Sequence, residues 1–223
     1  MKTESFIPEV RVRYNFTYNF LVGAATLAKL ALEIDKKGKN VTEAEQLQYK
    51  SFVSGCIMQS VAALESEAWS LLNHGLDHLG SNGLHINTNS ILSIVADSIE
   101  KERILDRYDL ILQITRKKKI DKGKQPLQDL ALLIALRNEI THFKSLWTDE
   151  LDRKKLFNKL QKIDSTRPQF YPEGNMNFFP NICLNHVRAK WALNTVIEFI
   201  DYYFMELDVK SPLTIFDRQL IIL

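Results

Sequence analysis

Apolar side chains recur at three- and four-residue intervals along most of this chain, the spacing that places them on one face of an α-helix. The first such pattern covers residues 16–36, and the basic stretch and glycine that follow it are typical of a helix C-terminus. Thr42 and Glu45 then form a capping box, because each can satisfy a backbone N–H that the first turn of a helix leaves unpaired. We therefore expect a second helix over residues 43–74.

The same periodicity predicts further helices downstream, over residues 90–115, 126–140, 149–163 and 182–207, with Pro126 in the first turn of its helix. Residues 164–181 contain several prolines and aromatic residues, and they predict an ordered loop insertion before the last helix. Residues 1–15 form a lead-in and residues 208–223 a C-terminal tail. The sequence thus predicts an all-α fold, an antiparallel helical bundle in a single domain spanning residues 1–223.

The composition indicates a globular protein with a single domain and does not indicate its function. The chain has 223 residues, 45% of them hydrophobic, which suits one domain with a proper core. Its longest unbroken apolar stretch, residues 130–136, is far shorter than the roughly 20 residues of a membrane span. We expect a soluble, cytoplasmic protein without a membrane partner, in which Cys56 and Cys183 are buried as free thiols. A net charge of +2 does not by itself indicate nucleic acid.

The most informative segment, residues 137–142, lies late in an apolar helix, where a charged side chain needs a reason. Arg137 is three and four residues from Ile134 and Leu133, so its stem lies on or beside the packed face. Burying an unpaired guanidinium costs on the order of several kcal/mol. The pattern alone favours a structural arginine whose head group reaches water or caps a neighbouring helix.

Arg137 is followed directly by Asn138 and, after four intervening residues, by His142. This spacing resembles the Arg-x4–6-His motif of the HEPN superfamily of RNA-cleaving helical domains, in which a polar residue, commonly Asn, follows the arginine. The resemblance implies a helical bundle of HEPN type that acts on RNA.

The similarity extends beyond the motif. Residues 60–65, which end in Glu65, resemble the glutamate-bearing second helix of many HEPN domains, and residues 189–191 resemble the opening of the final helix in related bacterial members. The resemblance covers the long second helix and most of residues 127–207. It implies a metal-independent endoribonuclease that needs no cofactor, acting as a toxin or defence effector with an antitoxin or regulatory protein as a further partner.

The residue types suit this chemistry, in which the RNA 2′-hydroxyl attacks the adjacent phosphate. His142 can act as general base or acid, and Arg137 can hold the phosphate and stabilise its developing charge. The resemblance assigns Asn138 the orientation of the histidine or the backbone, and Glu65 the pairing and positioning of Arg137.

The helical spacing of the motif argues for a shared site. Five residues turn an ideal helix by about 140°, so Arg137 and His142 do not project the same way. In the family, two protomers build one cleft from both copies of the motif, and the resemblance therefore implies a homodimer. HEPN toxins that a nucleotidyltransferase modifies often have a tyrosine two residues after the histidine. Lys144 occupies that position here, so we do not expect this mode of control.

Two charged features have both a structural and a functional interpretation. Glu65 lies near Leu64 and Ala68 on the apolar side of its helix, so it needs a cationic partner, either Arg137 or any nearby base. Glu67 is expected to point elsewhere and to be solvated. One local basic cluster could contact an RNA backbone, although a solvated loop is the more common origin of such a charge run. It consists of Arg116, Lys117, Lys118 and Lys119 together with Lys122 and Lys124, and the predicted RNA-binding residues are Lys117, Lys118 and Lys119.

Two alternatives to the nuclease remain open at this point. One is a catalytically silent HEPN domain that acts as an RNA-binding or protein-interaction module. The other is an unrelated helical bundle in which Arg137 and His142 are merely structural. An enzyme predicts Arg137 and His142 near each other across a dimer, in an open, positive groove. A silent module predicts the groove without activity. Coincidence predicts that the two side chains lie apart or that Glu65 fully seals Arg137.

Overall fold

The computed structural model describes residues 14–74, 91, 94–95, 99, 101–144, 155–172, 174, 176–214 and 217–222. These residues are helical or irregular and contain no β-strand, which confirms the all-α prediction. The principal helices are α1 (Thr17–Asp35), α2 (Glu43–His74), α3 (Ile104–Arg116), α4 (Leu127–Thr141), α5 (Lys155–Ile163) and α6 (His186–Glu206). Short helical turns occur at Gly38–Asn40, Phe178–Ile182, Pro212–Thr214 and Arg218–Leu220.

Helices α1 and α2 form an antiparallel hairpin. Thr17 Oγ1 donates to the carbonyl of Ala63 at one end, and the Tyr49 hydroxyl donates to Asp35 at the other. The predicted capping box sets the start of α2. The Thr42 N–H donates to Glu45 Oε2 at 2.9 Å, and the Glu45 N–H donates to Thr42 Oγ1 at 3.3 Å.

Helix α2 is the centre of the bundle and packs against α1, α3, α4 and α6. Helix α6 runs in the same direction as α2. Near its start the His186 N–H donates to the Tyr49 hydroxyl at 2.8 Å. Farther along, the Tyr203 hydroxyl donates to the Tyr108 carbonyl and the Tyr108 hydroxyl donates to the Leu64 carbonyl, both at 2.9 Å. The hydroxyls of Tyr49, Tyr108 and Tyr203 thus have hydrogen-bond partners while their rings fill the core.

Two helix boundaries differ from the prediction. Residues 101–103 are not helical, and Arg103 is extended, so α3 begins at Ile104 rather than continuing from residue 90. Helix α6 begins at His186 rather than at residue 182, because extended Asn185 caps it by accepting the Arg188 N–H at 2.7 Å. Residues 149–154, where the sequence predicts the start of α5, lie outside the described part of the chain.

The segment before α6 is packed against the bundle. Phe170, Tyr171 and Phe179 are buried, and the Phe179 ring stacks on Phe157 of α5 with centroids 4.6 Å apart. This agrees with the ordered loop that the sequence predicts. None of the helices in the described ranges is both long and apolar enough to cross a membrane.

Candidate functional site

Arg137 of α4 and Glu65 of α2 form an ion pair between two helices. Arg137 Nη2 donates to Glu65 Oε1, and the side chains are 21% and 41% exposed, respectively. Glu65 thus pairs with Arg137 rather than with another nearby base. The pair leaves the Arg137 side chain partly exposed to solvent. The pair fixes the guanidinium at the surface of the bundle.

The expected solvation of Glu67 is wrong, because this side chain is only 3% exposed. Asn15 Nδ2 donates to its carboxylate at 3.1 Å. Burial raises the pKa of Glu67, against the opposing effect of hydrogen bonds from Asn15 and Thr17. Glu65 and Glu67 are two residues apart, which on a helix turns them by about 200°. Glu67 is the buried residue of the two because the start of α1, at Asn15 and Thr17, encloses its carboxyl group.

An open groove of about 410 Å³ lies between α2, α3 and α4, and we call it the arginine groove. Glu65, Arg137 and Asn138 line it, so the structure brings together three of the four predicted catalytic residues. Its lining also contains the basic side chains of Arg103, Arg107 and Lys122. Lys122 belongs to the basic cluster that the sequence shows, whereas no sequence pattern singled out Arg103 or Arg107. Two acidic side chains, Glu102 and Asp106, line it as well.

The added basic residues are held in place by their neighbours. The Arg107 guanidinium lies 4.9 Å from the centroid of the Trp69 ring, a cation–π arrangement. Lys122 Nζ donates to Asp106 Oδ1 at 2.8 Å. Apolar periodicity does not show this convergence on Arg137, because it arises only when α3 and α4 both pack against α2.

His142 ends α4 and is exposed. Its N–H donates to the Asn138 carbonyl at 2.9 Å, and its side chain is not part of the arginine groove lining. Its neighbour Phe143 packs on Phe179 with ring centroids 5.6 Å apart, which anchors the end of the helix. Helical spacing aligns His142 with Ala135, seven residues earlier, to within about 20°, and thus with the opposite side of α4 from Arg137.

The predicted RNA-binding lysines lie at the far end of α3. Lys117 ends that helix in a left-handed conformation (φ 55°), Lys118 Nζ is 3.8 Å from a Glu206 carboxylate oxygen, and Lys119 is exposed. Lys117 follows Arg107 by ten residues, or about 15 Å of helix. The structure does not bring these lysines together with Arg137.

The loop after α3 runs back along that helix, which explains why Lys122 reaches the groove. The Ile120 N–H donates to Asp109 Oδ1 at 2.8 Å, and two residues later Lys122 contacts Asp106, a turn nearer the start of α3. Within residues 116–124, Lys122 is therefore the cation that lies beside Arg137.

Neither cysteine is arranged for chemistry. Cys56 and Cys183 are both buried, as predicted, and burial raises the pKa of each thiol to about 12. In the described ranges, no group of three His, Cys, Asp or Glu side chains is placed to hold a metal ion.

Comparisons with protein-family models, with curated proteins and with solved structures find no match to this chain. The HEPN resemblance thus rests on the residues themselves, and it stays a prediction.

Proposed function

We propose that this protein is a metal-independent endoribonuclease. His142 accepts the proton of a ribose 2′-hydroxyl, the 2′-oxygen bonds to the adjacent phosphorus, and the bond from phosphorus to the 5′-oxygen breaks. The leaving 5′-oxygen takes a proton from water and His142 returns its proton to the solvent, so the products are a 2′,3′-cyclic phosphate and a 5′-hydroxyl. Arg137 neutralises the charge that develops on the phosphoryl oxygens.

The observation that carries the proposal is the Arg137–Glu65 pair at an open groove. A guanidinium has five N–H donors, and Glu65 accepts from one terminal nitrogen of Arg137. An arginine held in this way by a carboxylate is oriented before substrate arrives, which lowers the entropy cost of gripping a phosphate. With a 21% exposed side chain, Arg137 is accessible to a ligand in the groove.

The proposal includes a homodimer with a shared active site. Arg137 and His142 are separated by about 140° around α4, so one copy of the motif does not direct both groups to the same point. The end of α4 is available for such a contact, since Asn138, His142 and Phe143 are all exposed. In a two-fold dimer, Arg137 of one protomer would then meet His142 of the partner copy.

One observation favours the alternative of a catalytically silent module. Glu102 and Asp106 line the same groove as Arg137, and carboxylates repel a phosphate. Lys122 neutralises Asp106 by direct contact, which leaves Glu102 as the main opposing charge. Of the two kinds of silent module, this lining favours one that interacts with a protein over one that binds RNA, and such a protein would not cleave RNA.

The test is incubation of wild type, Arg137→Ala and His142→Ala with total cellular RNA in EDTA, followed by a denaturing gel. Arg218→Ala and His186→Ala are matched controls outside the groove, because Arg218 forms an ion pair with Asp201 and His186 Nδ1 lies 3.0 Å from Asp35 Oδ2. We expect discrete cleavage by wild type and the controls, and a loss of about 100-fold or more in the other two variants. No cleavage by wild type, or equal cleavage by all five folded proteins, contradicts the proposal.

Co-expression of Arg137→Ala with His142→Ala tests the shared site. A mixed dimer contains one site with both groups intact, so the mixture recovers cleavage that neither variant has alone. An inactive mixture in which mixed dimers form contradicts a site shared between protomers.

A further inference from the structure

Helix α5 presents a row of lysines on its outer face. Lys155, Lys159 and Lys162 follow an i, i+4, i+7 spacing and are all exposed, while Phe157 and Leu160 are buried on the opposite face. The helix contains no acidic residue. Along the helix axis the lysines are spaced by about 6 Å and about 4.5 Å.

These lysines line a groove of about 660 Å³ between α4 and α5, which we call the lysine groove. Lys122 completes its basic lining, and the α4 side includes the small residues Ala131 and Ala135. None of the described residues in the lining has a carboxylate side chain. Among the described residues, no carboxylate lies within ion-pair distance of the three α5 lysines, whereas Lys122 pairs with Asp106.

Such an arrangement costs stability unless an anion binds. Like charges at i, i+4 on a helix repel each other and destabilise the helix. The whole chain has a net charge of only +2, whereas the described lining of this groove contains four lysines and no carboxylate. A polyanion whose charges repeat along a line would relieve this repulsion at several positions together.

The lysine groove also leads to a predicted catalytic residue. Ala135 lines it, and His142 lies on the same face of α4 two turns later. Lys122 and Ala131 line both the lysine groove and the arginine groove, so the two grooves meet along α4. A strand held on the lysines would thus run along the face of α4 that leads to His142.

We propose that the lysine groove binds the phosphate backbone of single-stranded RNA and guides it to His142. The guidance of the strand to His142 rests on the proposed ribonuclease function, whereas binding of RNA in the groove does not require cleavage. Lys155, Lys159 and Lys162 contact successive phosphates, and the small side chains of α4 leave room for the sugars.

Fluorescence anisotropy with a labelled single-stranded RNA of mixed sequence tests the proposal, with His142→Ala as the parent so that the probe stays intact. The groove variant adds Lys155→Gln, Lys159→Gln and Lys162→Gln. The control variant adds three substitutions with the same loss of charge on exposed lysines elsewhere: Lys29→Gln, Lys36→Gln and Lys210→Gln. Arginine at the three groove positions serves as the charge-preserving rescue.

The expected result is at least tenfold weaker binding by the groove variant, with the control and the arginine variant close to the parent. Each phosphate contact on a single strand contributes about 0.7 to the slope of log affinity against log salt. Loss of three contacts therefore lowers the magnitude of that slope by about 2.

Equal affinities of the groove and control variants overturn the proposal, and so does a parent that does not bind the RNA in low salt. Displacement of the RNA by polyglutamate at equal charge concentration also overturns it and indicates an acidic protein partner instead. RNA binding that depends on the groove in a protein that cuts no RNA contradicts the nuclease and leaves the groove supported. Cleavage of RNA by the wild type, together with unchanged RNA binding by the groove variant, supports the nuclease and contradicts the proposed role of the lysine groove.

Discussion

Replacement of Arg188 by alanine should remove the main anchor between α5 and α6. The Arg188 side chain is completely buried. Its Nη2 donates to the carbonyls of Leu160 and Asp164, both at 2.8 Å, and lies 3.8 Å from the Asp164 carboxylate. Arg188 thereby caps the C-terminal end of α5 with a charge, which that end of a helix favours.

The magnitude follows from the bonds that are lost. A hydrogen bond from a charged group contributes about 1.5–3 kcal/mol, and Arg188 makes two to backbone carbonyls that would be left without it. Allowing for water that enters the site, we expect the free energy of unfolding to fall by about 3–5 kcal/mol. That is a large part of the roughly 5–15 kcal/mol that stabilises a typical protein.

Urea unfolding monitored by far-ultraviolet circular dichroism measures this change. The matched control is Arg218→Ala, because Arg218 makes a two-pronged pair with Asp201 at 2.7 and 2.8 Å while remaining 41% exposed. Exposed pairs contribute about 0–1 kcal/mol, so the control should lie close to wild type. Losses of similar size in both variants, or a loss below about 1 kcal/mol for Arg188→Ala, would refute the reasoning.

Three further outcomes follow from the same structure. Cys56 and Cys183 should resist Ellman's reagent in the native protein and react fully in urea, since burial raises both thiol pKa values to about 12; rapid native labelling would contradict their burial. Burial raises the pKa of Glu67, so ionisation of this side chain destabilises the folded protein as the pH rises. Glu67→Gln, which stays neutral, should therefore be more stable than wild type at pH values above the raised pKa. The free energy of unfolding, measured as a function of pH, should show this difference shrinking as the pH is lowered toward 4.5, the ordinary pKa of glutamate. A difference in stability that does not depend on pH would argue against a raised pKa of Glu67. Glu65→Gln should slow RNA cleavage less than Arg137→Ala does, because it loosens the arginine without removing it; an equal or greater loss would indicate that Glu65 has a direct role.

Local sequence signals were sufficient for several elements of the fold. The capping box at Thr42 and Glu45 defined the start of α2, because the interaction is complete within four residues. The apolar periodicity then carried that helix to its end at His74. The Arg137–Glu65 pair was one of two alternatives, since a carboxylate beside an apolar stripe requires a partner but does not name it.

Other features depended on tertiary packing that no local pattern encodes. Glu67 was misjudged because α2 is packed by α1, α3, α4 and α6, so burial is not confined to one face of the helix. Lys122 reaches the arginine groove only because the loop after α3 folds back along its own helix. The sequence does not predict that Arg188 caps the end of α5, because its partners are backbone carbonyls, which every residue has.

The chemistry of the RNA ends tests the nuclease most directly. Total cellular RNA is digested in EDTA by wild type, Arg137→Ala and His142→Ala, and the fragments bearing 2′,3′-cyclic phosphates are counted against a protein-free control. Attack by the 2′-hydroxyl, assisted by Arg137 and His142, predicts that such ends accumulate with wild type alone. Cyclic ends that stay at the protein-free level, or that form equally with both folded variants, would contradict the proposed active site.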